Sequence, residues 1–102
     1  MISHDEKDIW APYMIKALHR DLATLKEAGF NVIGYTIMLC EFTFIFNTDE
    51  EARAAHAQFE NIPGKSIIQG WWYGKEEFEK AKITYEKDFR DDNNPLFVKW
   101  IG

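Results

Sequence analysis

A chain of 102 residues and 12.0 kDa can bury one core without disulfides or metals, and it is too short for two domains of ordinary size. Its 46% hydrophobic and 16% aromatic content excludes a disordered tail. The formal charge of -5, from 17 acids against 12 bases with no run of Lys and Arg, works against a phosphate backbone or an anionic lipid surface as the partner.

Cys40 is the one cysteine, so no internal disulfide can form and a reducing compartment is expected. The opening MISHDEKD is acidic where an export signal needs a positive and then an apolar region, which makes the expected location cytoplasmic. The whole of 1–102 reads as a single α+β domain with no linker, internal repeat or low-complexity stretch.

Residues 1–8 are polar and expected to fray. Pro12 is tolerated only in a first turn, so a helix starts around Ile9 to Ala11. Trp10, Met14, Ala17 or Leu18, Leu22, Leu25 and Ala28 form its apolar stripe, and Gly29 stands where a C′ glycine belongs. Asn31 to Asn47, the longest apolar and β-branched stretch, would extend ~55 Å if straight. A chain of this length has a radius of gyration near ~13 Å, so the stretch must fold back on itself. Two antiparallel strands, 31–38 and 41–47, are therefore expected, turning at Leu39-Cys40 although neither Gly nor Asn is there.

Thr48 and Glu51 have the spacing of a capping box, opening a second main helix that buries Ala52, Ala55 and Phe59 and stops at Pro63-Gly64. Lys65 to Tyr73 reads as a third strand, and Lys75 to Phe89 as a third helix with the stripe Phe78, Ala81 or Lys82, Tyr85 and Phe89. Asp91 to Pro95 is a turn by composition, and Leu96 to Ile101 a last strand. The order α-β-β-α-β-α-β implies a four-stranded mixed sheet with a hairpin at 31–47 and helices mainly on one face. The other face is then solvated or used.

Trp71-Trp72-Tyr73 is the most informative local feature. Neighbouring strand residues point to opposite faces, so Trp71 and Trp72 cannot share one core layer. Either the first helix covers the second face and both are core, or one belongs to an aromatic contact surface. A nucleic-acid stacking platform uses such aromatics too, but lacks its basic groove here. The acids gather at the starts of the three helices: Asp5, Glu6 and Asp8; Asp49, Glu50 and Glu51; Glu76, Glu77 and Glu79. Asp88 to Lys99 fails as a calcium loop, because Arg90, Asn93 and Lys99 replace a ligand, the turn glycine and the bidentate Glu. His4, His19 and His56 lack metal-ligand spacing, and no phosphate loop or nucleophile elbow occurs, so neither a metal, a cofactor nor an enzyme is expected.

By elimination, the sequence points to a small acidic protein-binding domain. It would act as a stoichiometric inhibitor or adaptor of a larger, basic or nucleic-acid-handling protein, a role of the immunity-protein or phage anti-defence kind. Trp71, Trp72 and Tyr73 with Glu76, Glu77, Asp91 and Asp92 are its candidate contact residues. Homodimerisation through the open sheet face would use the same surface. Two alternatives stand beside this reading. One is a ligand-binding or cofactor-independent enzyme domain using Tyr35, His19, His56 and Trp72 in a pocket between sheet and helices, and the other is a structural subunit of a homo-oligomer.

Overall fold

A computed structural model describes residues 5–39, 41–60, 70–89 and 96–101. The chain runs α1 (Glu6–Ile9), α2 (Pro12–Glu27), β1 (Val32–Met38), β2 (Glu41–Phe46), α3 (Asp49–Glu60), β3 (Gly70–Gly74), α4 (Lys75–Phe89) and β4 (Lys99–Trp100). The strands form one mixed sheet in the order β3-β2-β1-β4, with β2 and β3 parallel and the other two pairs antiparallel. This is the α+β architecture expected from the pattern of elements.

α2 begins with Pro12 inside its first turn and ends in a Schellman motif. Gly29 takes φ 93°, while the N–H groups of Phe30 and Gly29 donate to the Leu25 and Lys26 carbonyls. At residues 5–8 the expected fraying is replaced by structure. Asp5 and Asp8 form a capping box that closes the single turn of α1, and residues 1–4 lie outside the described part. The acids there are used as caps, and a side-chain bond from Glu6 anchors the turn to the sheet.

β1 and β2 pair from Met38↔Glu41 outward, with Leu39 following β1 and Cys40, the other residue of the expected turn, outside the described residues. Leu39 adopts φ 50°, a left-handed conformation that costs a side-chain-bearing residue roughly 1–2 kcal/mol. A register shift between Val32 and Gly34 sets the two faces of β1. Because Ile33 is the extra residue, Val32 and Tyr35 both reach one face while Ile33 packs with the other. Thr48 caps α3, its Oγ1 accepting from the Glu51 N–H at 3.1 Å. Of the expected third strand, residues 70–73 are described and paired, while 65–69, like the Pro63-Gly64 stop and the 91–95 turn, lie outside the described residues. The last strand is shorter than expected: Lys99–Trp100 pairs with β1, and residues 96–98 lie outside the ladder.

The first face carries the main core. Leu18 and Leu25 of α2 and Ala52, Ala55 and Phe59 of α3 close over Val32, Tyr35, Phe44 and Phe46. The second face carries a smaller cluster of Met38, Ile45, Leu96 and Phe78, the last brought by α4. Three helices thus lie on one face, and α4 alone covers part of the other. Among the described residues no helix is long and apolar enough to cross a membrane.

Candidate functional site

The parity of β3 decides which aromatics remain available. Trp72 lies opposite Phe44, on the first face, and Trp71 and Tyr73 lie opposite Thr43 and Ile45, on the second. Trp72 is packed into the main core, stacked on Phe46 (6.0 Å, 8°) and tilted against Phe44, His56 and Phe59. Its Nε1 is buried and has no hydrogen-bond acceptor among the described residues. Trp71 is 39% exposed and stacks on Tyr73 (6.1 Å, 16°). The two tryptophans therefore divide: one is core, the other is surface.

α4 supplies the opposite wall. Phe78 is fully buried and tilts against Tyr73. Farther along, Tyr85 and Phe89 form a tilted pair at 5.5 Å, yet Phe89 is 62% exposed. The expected buried stripe therefore runs out at its C-terminal end. Phe89 lies one turn beyond Tyr85, which still packs against the Phe78 cluster, so the exposed end of the stripe is the last turn of α4. Between this end of α4 and the hairpin tip lies a groove of about 370 Å³. Trp71, Tyr73, Tyr85 and Phe89 form its walls, with Met38 and Leu39 at the hairpin end and Glu77 and Lys80 at the rim. Burial, and then the charge of Glu77, push the Tyr73 phenol above its ordinary pKa, so its hydroxyl stays protonated as a donor at neutral pH.

The acids divide as well. Gly74 sits against the start of α3, where a Cβ would come within 2.3 Å of the Asp49 N, so only glycine permits this approach. The contact brings the N-terminal ends of α3 and α4 together, and Asp49, Glu50 and Glu76 line a second, polar groove there with Arg53. Of the acids singled out in the sequence, Glu77 borders the aromatic groove and Glu76 the polar one. Asp91 and Asp92 lie outside the described residues.

The residues of the pocket alternative form two separate groups. Tyr35, 3% exposed, donates its hydroxyl hydrogen to Glu6 Oε2 (2.6 Å), and His19 Nε2 meets Glu6 Oε1 at 2.7 Å. Burial and then the Glu6 carboxylate hold the Tyr35 phenol well above its usual range. His56, by contrast, packs on Trp72. Glu6, His19 and Tyr35 line none of the grooves described above and saturate one another, which makes them a clamp between α1, α2 and β1. Asp21, buried on α2, has its carboxyl pushed up by burial and held back by Arg20.

Comparison with protein-family models, curated proteins and solved structures found no match. The site is therefore read from its own chemistry.

Sequence reasoning missed Met38, Leu39, Tyr85 and Phe89 as groove residues. Tyr85 and Phe89, at i and i+4, continue the buried stripe of Phe78 in sequence and so look like core. Leu39 carried a usable signal, since an apolar residue in a two-residue turn has no local reason to be there.

Proposed function

We propose that this chain is a protein-binding domain that holds an apolar segment of a larger protein in the groove between α4 and β3. It acts by stoichiometric occupation, as an inhibitor or adaptor, in the cytoplasm where Cys40 stays reduced. The observation that carries the reading is the aromatic lining itself. Trp71, Tyr73, Tyr85 and Phe89 converge with Met38 and Leu39 on one open groove. Aromatic residues and Met are enriched at the energetic centres of interfaces, and contiguous exposed apolar surface on a small domain marks such a site.

The partner is basic on this reading. Glu77 at the rim continues into the Asp49, Glu50 and Glu76 end of the molecule, so a segment with apolar anchors and flanking Lys or Arg fits both surfaces. Nucleic-acid-handling proteins offer such segments, and an acidic binder competes there with phosphate.

The test compares the wild-type protein with Phe89→Ser in a tagged pull-down from native host lysate at low and high salt. Phe89 is 62% exposed, so its loss leaves the fold intact. A basic protein retained by the wild type, weakened by salt and lost with Phe89→Ser at unchanged melting temperature supports the reading. Equal capture by both proteins, or none by either, refutes it.

A further inference from the structure

We infer that residues 5–10 form a strap that leaves the sheet in one step, ahead of the rest of the fold, with Glu6 as its latch. The backbone hydrogen bonds of this segment close on themselves. The Asp8 N–H donates to the Asp5 carbonyl and the Trp10 N–H to the Glu6 carbonyl, while the side chains of Asp5 and Asp8 complete the capping box. α2 begins its own ladder at Ala11, whose carbonyl accepts from the Met14 and Ile15 N–H groups. Among the described residues, no backbone hydrogen bond joins 5–10 to the body of the molecule. None of the residues of α1 is buried.

Side chains alone hold the strap down. Glu6 accepts from the Tyr35 hydroxyl at 2.6 Å and meets His19 Nε2 at 2.7 Å. Trp10 sits edge-on to Phe97 (5.2 Å, 71°) and tilted against Tyr35 (6.1 Å, 41°). Asp5 lies 3.7 Å from Lys99 Nζ, a pair exposed at both ends, which contributes little. The hinge is built in as well. Trp10 and Ala11 are both extended, and Pro12 then fixes the first turn of α2.

Opening leaves no buried polar group unpaired at the latch. The Tyr35 hydroxyl already lies 3.4 Å from His19 Nε2, so the two bond to each other when Glu6 withdraws. Glu6, Asp5 and Lys99 pass to water. One hydroxyl with two alternative partners gives the element two discrete arrangements, and the body keeps all its backbone hydrogen bonds in both. The open state uncovers the sides of Tyr35 and Phe97 that Trp10 covers, with His19 and Lys99 beside them. This step involves none of the residues of the aromatic groove, so it stands or falls apart from the docking proposal.

The experiment is native-state hydrogen exchange on the full chain across a series of low urea concentrations. A single helical turn has no stability of its own, so α1 melts as it leaves and its amides report the event. The Asp8 and Trp10 amides are expected to exchange together, with little dependence on urea and far faster than the amides of β2. Glu6→Ala speeds both by about tenfold or more, the worth of hydrogen bonds to a charged group. Should that variant fail to fold, the wild-type urea series decides. The inference is overturned if the two amides follow the urea dependence of β2, exchange at unrelated rates, show no protection, or are unmoved by Glu6→Ala.

Discussion

Substitution of the adjacent tryptophans tests the division of β3 between core and surface. Trp72 is partly buried and stacked against the main core, so truncating it to Ala costs about 3 kcal/mol or more, the lower end of the range for a buried Trp. A domain of this size has a total stability of only about 5–15 kcal/mol. Trp71 is 39% exposed, so about 90–150 Å² of a full aromatic burial is covered, equivalent to about 2–4 kcal/mol as an upper bound. Ala retains part of that, leaving a cost of about 2 kcal/mol. Trp72→Phe is the informative third member. It keeps a ring against Phe46 and removes a buried Nε1–H that lacks an acceptor, a group whose burial costs about 1–3 kcal/mol. That relief offsets most of the lost area. Thermal denaturation reads the series, since 1 kcal/mol moves the midpoint of such a domain by about 4–8 °C. Trp72→Ala lowers it by more than about 12 °C or prevents folding, Trp71→Ala by about 8–16 °C, and Trp72→Phe by no more than about 5 °C. A Trp72→Phe midpoint as low as that of Trp72→Ala refutes the orphan-donor argument. A Trp71→Ala protein less stable than Trp72→Ala refutes the assignment of the faces.

The clamp at Glu6 is tested by Tyr35→Phe, which removes a hydrogen bond to a charged group and lowers stability by about 1.5–3 kcal/mol in urea denaturation. The Tyr35 pKa is raised in the folded state, first by burial and then by Glu6, so the protonated phenol favours the fold. That contribution is complete below the ordinary tyrosine value of about 10 and is lost as pH rises from there toward the folded value. The wild type therefore loses stability above about pH 10, and Tyr35→Phe flattens that loss. Thr36 and Thr43 face each other across β1 and β2, both fully buried, yet they respond with opposite signs. Thr36 Oγ1 donates to the Phe97 carbonyl, so Thr36→Val costs about 1–2 kcal/mol. Thr43 Oγ1 has no partner among the described residues, so Thr43→Val stabilises by about 1 kcal/mol. Calorimetric midpoints that move the same way for both variants contradict this account.

Much of the fold is legible in residue order because its causes are local. The helix stripe from Leu18 to Leu25, the Gly29 stop, the Thr48 cap and the apolar, aromatic run of β2 each depend on neighbours a few positions away. The hairpin followed from chain length and compactness, and its strands pair up to Met38 and Glu41. The opposition of Trp71 and Trp72 also follows from strand geometry, but which of them is buried does not. That choice depends on α3 closing over the Trp72 face and on α4 starting immediately after Gly74. Only the tertiary structure places Glu6 against Tyr35, 29 positions away, and turns the N-terminal acids from a frayed end into a clamp. The aromatic groove is likewise tertiary, because it forms where the C-terminal half of α4 meets Trp71 and Tyr73 of β3 and the hairpin end at Met38 and Leu39. Periodicity tells which residues share one side of an element. It does not tell which of those residues the elements opposite will cover.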